Sequence, residues 1–393
     1  MSDPWVSIVG MPDDSLTALT PASRSAIDAA EIIFGGPRHL ERVGAGDRGQ
    51  AWTVPFSVAP VLSARGRRVV VLASGDPFWF GVGGSLSTAL EPGEWQVFPA
   101  PSTFSLVAAA LGWRMEDVTC HGLHAAPFER LRATLAPKGR MICLVRDGDA
   151  PAALAAWLVT QGAGAARLTV CEAMGGPQQR IRETTASGFD LKGVAAPVAV
   201  AVALPKDVGH TGASGLPDTL FASDGQLTKR PVRALTLSAL APRKSERLWD
   251  IGSGSGTIAV EWCLAGGHAL AFEQHASRVA NILRNAADFG LDHRIKVHEG
   301  DAAVLIPDAP LPDAVFIGGG ASQALLDQLY AVLPSGTRLV ANGVTLETEA
   351  LLALAHREKG GNLMRIELAQ AGSLGTMRGW QPARPVVQWS VVL

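Results

Sequence analysis

The sequence predicts an α/β protein of two modules, the second a mainly parallel, seven-stranded sheet covered by helices and closed by an antiparallel pair. Three observations carry that expectation. Strand-like and helix-like apolar segments alternate along the second half, which is the pattern of parallel strands joined by crossover helices. An apolar strand runs into Gly252, Gly254 and Gly256 and then into a helix. The chain's 393 residues exceed the size at which a single core keeps growing.

The first module begins with a strand over 5–10, preceded by neither a basic nor an apolar leader, so no export signal is expected. It ends in Gly10-Met11-Pro12-Asp13-Asp14, which no clear phosphate-binding helix follows. Buried strands over 68–73 and 96–100 deliver two loops, Ser74-Gly75-Asp76-Pro77-Phe78-Trp79-Phe80-Gly81 and Pro101-Ser102-Thr103. Open α/β sheets place their ligands at such carboxyl ends of strands. Gly75 permits close backbone approach, Pro77 stiffens its loop and Phe78 to Phe80 supply an apolar wall, although Gly-Asp-Pro is equally an ordinary turn sequence. The longest apolar run, 195–204, is about half of the roughly 20 residues a membrane span needs, and reads as a core strand. A Gly- and Pro-rich stretch follows, giving expected domains of 1–204 and 224–393 with a linker over 205–223. The two sides carry different glycine motifs, so the chain reads as a fusion and not a duplication.

In the second module the strand Trp249-Asp250-Ile251 enters Gly252-Ser253-Gly254-Ser255-Gly256, and a helix over 257–265 leaves N–H groups facing whatever binds there. A strand over 269–273 ends in Glu273, placed to accept the two hydroxyls of a ribose. This glycine alternation with a following acid points to S-adenosylmethionine. A dinucleotide fingerprint would carry its third glycine at position 257, where Thr257 stands, yet the spacing to Glu273 alone leaves that alternative open. The pattern continues with a helix over 277–289, a strand over 295–298 leading to Gly300-Asp301-Ala302, and strands over 313–317 and 337–341, each before a helix-like segment. Runs over 364–368 and 386–393 have no helix between them. Such a closing antiparallel pair suits a class I methyltransferase sheet better than a dehydrogenase.

Composition is that of an ordinary α/β protein, 47% apolar and 18% charged, and the net charge of −2 gives no global field for nucleic acid. Basic clusters at 65–68, 229–233 and 243–247 are too short and too poor in aromatics for an RNA-binding face. Four cysteines without paired spacing read as reduced thiols of a cytoplasmic protein. His121 and His124 have no Cys or carboxylate at ligand spacing, so no metal is expected.

The order Val6-Ser7-Ile8-Val9-Gly10-Met11-Pro12-Asp13, Ser74 to Gly81, Pro101-Ser102-Thr103-Phe104-Ser105 and Cys171-Glu172-Ala173-Met174-Gly175-Gly176-Pro177 resembles the tetrapyrrole (corrin/porphyrin) methylase fold, which has two α/β subdomains. The segment from Asp224-Gly225-Gln226-Leu227-Thr228-Lys229-Arg230-Pro231-Val232-Arg233-Ala234 through Gly256 is similar to the decarboxylating precorrin methyltransferases. Together the resemblances imply methylation of two bridging carbons of a precorrin, with loss of one acetate carboxyl, in cobalamin biosynthesis. The alternative is an S-adenosylmethionine-dependent RNA or protein methyltransferase with an N-terminal recognition domain.

The resemblance implies two S-adenosylmethionine sites. Gly252, Ser253, Gly254, Ser255 and Gly256 would cradle the methionine portion, Glu273 the ribose, and Asp301 and Ala302 the adenine edge, with Thr228 closing over them. Asp301 reads equally as a helix N-cap. In the first module Pro12, Gly75, Asp76, Ser102 and Thr103 would contact the second cofactor. Gly318, Gly319, Gly320 and Asn342 would face the flat macrocycle, and Lys229 and Arg233 its carboxylates, with Arg38 and Arg42 as weaker candidates. The bridging carbons are enamine-like, so alignment and exclusion of water matter more than a strong base, and no catalytic residue is assigned. Glu261 reads as a surface or helix-stabilising charge on the helix after the glycine loop, and no role is assigned to it. Both families commonly self-associate, so a homo-oligomer is expected, with neither nucleic acid nor membrane as partner.

Overall fold

The structure is a computed structural model that describes residues 4–12, 16–209 and 212–393. It divides into two compact units, 1–128 with 134–209, and 129–133 with 210–393.

The first unit holds two sheets. Strands β1 (Val6–Met11), β2 (Ile32–Gly35), β3 (Gly49–Ala51), β4 (Val69–Ser74) and β5 (Trp95–Phe98) pair in the order β3-β2-β4-β1-β5, parallel throughout. All six residues of β1 are buried, because helices cover both faces of the sheet, and its run is accordingly apolar without alternation. Strands β6 (Val118–Leu123), β7 (Arg140–Val145), β8 (Arg167–Glu172), β9 (Arg180–Thr185) and β10 (Val198–Ala203) form the second sheet, β6-β7-β10-β8-β9, in which only β6 and β7 are parallel. The long apolar run is the central strand β10, hydrogen-bonded on both edges. Two α/β subdomains are therefore present, as the resemblance implies.

The second unit is built on β11 (Arg247–Ile251), β12 (His268–Glu273), β13 (Ile295–Glu299), β14 (Ala314–Ile317), β15 (Arg338–Gly343), β16 (Asn362–Ile366), β17 (Ala369–Leu374), β18 (Met377–Pro382) and β19 (Val386–Val392). Seven strands form one sheet in the order β13-β12-β11-β14-β15-β19-β16. The first five are parallel, and β19 lies antiparallel to both β15 and β16. The chain order reverses between β11 and β14, which opens a crevice at their carboxyl ends. Trp249, Trp262 and Trp389 are fully buried in the cores on either side of the sheet. The hairpin β17–β18 was not anticipated, since its residues are mostly exposed and lack the alternation that marks a half-buried strand.

The expected linker over 205–223 is corrected in its second half. Gly215 and Leu216 donate their N–H groups to the buried Glu261 carboxylate at 2.6 and 2.9 Å, and Leu216 and Phe221 join the core of the second unit. Glu261, read as a surface charge, is only 7% exposed. Of the expected linker, His210 and Thr211 lie outside the described residues, as do Asp13 and Asp14 of the first loop. Among the described residues, no helix is long and apolar enough to cross a membrane.

Candidate functional site

The carboxyl ends of β11 to β15 enclose a cavity of about 1080 Å³ in the second unit. Gly252, Ser253, Gly254, Thr228, Lys229, Glu273, Asp301, Ala302, Gly318, Gly319, Gly320 and Asn342 all border it. Ten of these twelve residues meet because five parallel strands end on the same edge of the sheet, and Thr228 and Lys229 reach the same place from the segment before the helix Arg230–Leu240.

The glycine loop is shaped chiefly by the protein's own packing. Gly252 has φ +63, and a Cβ there would stand 2.6 Å from Gly319 O and 2.8 Å from Gly319 N, so the loops after β11 and β14 touch backbone to backbone. Gly254 has open space instead, its nearest neighbour to a Cβ being Gln226 O at 3.6 Å. Its N–H donates to Glu273 Oε2 at 2.8 Å, while His275 N–H donates to Oε1 at 3.0 Å. The Glu273 side chain is thereby held in one orientation, with lone pairs left over for a diol.

Two expectations are corrected. Ser255 and Gly256 do not border the cavity: Ser255 is buried, with its hydroxyl on Gln226 O at 3.3 Å, and a Cβ on Gly256 would meet Ile282 at 2.9 Å. That glycine lets two helices pack. Arg233, expected to pair with substrate, is fully buried and donates to Glu261 Oε1 at 2.6 Å, to Asp218 Oδ1 at 2.9 Å and to the carbonyls of Thr228 and Leu216. Asp301 is the N-cap of the helix Ala302–Leu305, accepting from Ala303 N–H at 3.0 Å, while it also borders the cavity.

Sequence reading missed Asp250. This buried carboxylate accepts from Ser253 Oγ at 2.8 Å and from Ala259 N–H at 3.2 Å through Oδ2, so one of the N–H groups expected to face a ligand is already capped. Its Oδ1 has no partner. Burial pushes the carboxyl up from 3.8 to about 6; the Ser253 and Ala259 bonds oppose that shift and the Glu273 charge adds to it. The protonated form therefore favours the folded state, an advantage full below about pH 4 and lost as pH rises through about 6, worth on the order of 3 kcal/mol. We expect the melting temperature of the native chain to fall relative to that of Asp250→Asn between about pH 4 and about pH 7. Parallel calorimetric curves for the two proteins would refute this placement. A lone acid between Trp249 and Ile251 in a buried strand was the available signal.

Also missed were Arg384 and Val386, which bring the C-terminal strands to the cavity, and Gln388, which sits behind Asn342. Gln388 could have been noticed as a single amide in the apolar run of β19.

In the first unit the ends of β1 and β4 meet the segment after β5. Gly75 N–H donates to Met11 O at 2.9 Å and Ala100 N–H to Gly75 O at 3.4 Å. A Cβ on Gly10 would stand 2.1 Å from Gly75 O, so only glycine fits that crossing. Asp76 Oδ1 accepts from Phe78 N–H at 2.9 Å, closing the turn. Ser102 caps the helix Thr103–Leu111 through Ser105 N–H at 3.1 Å. Trp79 packs on Phe104 with ring centres 5.4 Å apart, and Pro12 follows the end of β1. Burial pushes His121 down to about 4, and among the described residues no cluster of three or more potential metal ligands occurs.

Comparison with known proteins adds to this geometry. The profile of the Tetrapyrrole (Corrin/Porphyrin) Methylases matches residues 6–190, and that of the Precorrin methyltransferase domain matches 219–393. A precorrin-6Y C(5,15)-methyltransferase (decarboxylating) from Sinorhizobium is 45% identical, covering 98% of this chain and 96% of the relative. One of the same name from Mycobacterium tuberculosis is 38% identical over 98% of this chain and 99% of its own. A probable cobalt-precorrin-6B C(15)-methyltransferase (decarboxylating) from Pyrobaculum aerophilum is 35% identical, covering 44% of this chain and 92% of its own.

Proposed function

This chain belongs to the family of the precorrin-6Y C(5,15)-methyltransferases (decarboxylating), and from that premise we infer that its two units each hold one S-adenosylmethionine and act on the same polycarboxylate tetrapyrrole. The chain is a decarboxylating precorrin methyltransferase of cobalamin biosynthesis. The two-site reading is supported by the match of a separate methyltransferase profile to each half of the chain, and the observation that carries the second-unit site is its cavity, where the glycine loop, the fixed Glu273 carboxylate and the Gly318–Asn342 side converge. The residues fit the cofactor: Gly254 presents a surface that any side chain would fill, and Glu273 offers lone pairs to a ribose. Bound S-adenosylmethionine supplies an electrophilic methyl group. The chain's own contribution is to hold Glu273 and the loop rigid, to keep Asp301 and Ala302 at the far end, and to exclude water. Pro12, Gly75, Asp76, Ser102 and Thr103 make up the second donor site, contributed largely through backbone groups.

Lys229, which borders the cavity from the entry segment, pairs with a substrate carboxylate. The archaeal relative has about the length of one unit, and its name joins C15 methylation with decarboxylation. That supports housing both steps in one unit, and we assign them to the second because it is this unit that matches the precorrin methyltransferase domain and resembles the decarboxylating precorrin methyltransferases in sequence. A cytoplasmic location and self-association belong to the same proposal. The test is mass spectrometry of turnover by the full chain: a gain of two methyl groups with loss of one carbon dioxide, and two molecules of S-adenosylmethionine bound per chain by calorimetry. Methylation of RNA alone would refute the assignment of substrate, and a single binding site would refute the two-site reading.

A further inference from the structure

Behind the cavity wall of the second unit lies a polar triad set in an otherwise apolar core. Thr236 comes from the helix Arg230–Leu240, Asn342 from β15 and Gln388 from β19, and Thr236 and Gln388 are 0% and 3% exposed. The Thr236 hydroxyl donates to Val232 O at 2.9 Å, so toward its other neighbours its oxygen acts only as an acceptor. Asn342 Nδ2 and Gln388 Nε2 each donate to it at 3.0 Å, and Gln388 Nε2 also donates to Asn342 Oδ1 at 2.9 Å. The direction of every hydrogen bond in the triangle is fixed. Turning the Asn342 amide over would set N–H against N–H, so the side chain has one orientation. One N–H and one carbonyl lone pair of Asn342 are left, and Asn342 borders the cavity.

Burying the polar side chains of Thr236 and Gln388 in a core disfavours folding unless they are paired, and when paired they specify one arrangement. Here that arrangement fixes a neutral donor. Phe316, Ile366, Leu368 and Val386 border the same cavity, as do Lys229 and Arg384, for which no ion pair is seen among the described residues. The cations suit carboxylates that stay on the substrate. A carboxylate that must leave has the opposite requirement, since its charge moves into the ring as the bond breaks, and an ion pair would hold the ground state more firmly than the transition state.

Resting on the reading of the second unit as the decarboxylating one, we propose that Asn342 forms the decarboxylation subsite and that Thr236 and Gln388 are positioning residues acting through it. The free N–H of Asn342 orients the acetate carboxylate. The bond between the carboxylate carbon and the methylene breaks, carbon dioxide departs, and the bonding pair enters the protonated conjugated macrocycle. The pair then returns from the ring to the methylene carbon, which takes a proton from water and becomes a methyl group, and the hydroxide left behind takes up the proton carried by the ring.

The test measures carbon dioxide released per methyl group transferred by the full chain. Asn342→Ala is expected to lower that ratio about tenfold, and Thr236→Val and Gln388→Met about threefold each, with Thr236→Ser restoring it. A merely structural role would slow methylation and carbon dioxide release together, and an unchanged ratio in these variants overturns the proposal. If Thr236→Val fails to fold, Asn342→Ala, whose side chain is only partly buried, decides alone. Absence of carbon dioxide release by the unaltered chain is a separate result: it sinks the functional reading itself, and the subsite with it.

Discussion

Gly252→Ala is expected to abolish donor binding in the second unit while leaving the first intact. At φ +63 an alanine carries a conformational cost of about 1–2 kcal/mol. The larger effect is steric, because its Cβ would lie 2.6–2.9 Å from the O, N and C atoms of Gly319. Backbone cannot rotate away as a side chain can, so the two loops that wall the cavity must separate. We expect S-adenosylmethionine affinity at this site to fall at least about 100-fold, from displacement of a site whose geometry must hold to well under an ångström. Calorimetric stoichiometry should drop from two to one. Gly254→Ala serves as the control for mechanism: at φ +60 it carries the same conformational cost of about 1–2 kcal/mol, but its Cβ meets nothing closer than 3.6 Å, so it should bind the donor weakly while losing less stability than Gly252→Ala. Equal stoichiometry in Gly252→Ala and the unaltered chain would overturn the placement of the donor.

The second large effect is expected at Glu261. Glu261→Ala removes the partner of Arg233, which is fully buried, and the acceptor of the Gly215 and Leu216 N–H groups. Breaking a buried pair by deleting one partner costs about 3–5 kcal/mol, since the remaining charge stays desolvated. For a unit of this size that is a fall of about 10 °C in melting temperature. Asp218 still contacts Arg233 at 2.9 Å and keeps the effect from being larger. Arg233→Lys should also destabilise, because an ammonium cannot reach the four acceptors that the guanidinium fork spans. The Michaelis constant for the tetrapyrrole, measured below the melting range, should be unchanged in Arg233→Lys and raised in Lys229→Ala. The reverse pattern would restore Arg233 as a substrate contact.

These two sites show where sequence reading succeeds and where it stops. The strand, glycine loop and helix around Gly252 are legible because they are local: chain direction, positive φ and strand ends follow from neighbouring residues. The assignment of Glu273 to the same pocket follows from the register of consecutive parallel strands. Arg233 and Lys229 are indistinguishable in sequence, four positions apart on the entry to one helix. Arg233 lies within the helix and turns inward under residues 215–221, whereas Lys229 is the extended N-cap residue before it and stays at the cavity, and nothing in the sequence says that Glu261 waits inside to receive the first. Ser255 and Gly256 fail for a similar reason, since the loop has already turned into the helix and faces Ile282 and Gln226. Thr236 and Gln388 lie 152 positions apart, and only the insertion of β19 between β15 and β16 brings them together.

The sequence by itself determined the two α/β modules, the alternation of strands and helices in the second, and the glycine loop with its acid, because periodicity and turn chemistry are properties of short segments. Tertiary structure alone decided which charges are buried and paired, which amide is locked against the cavity, and where one unit begins. Those outcomes depend on desolvation, and a group loses its water only when distant segments close over it.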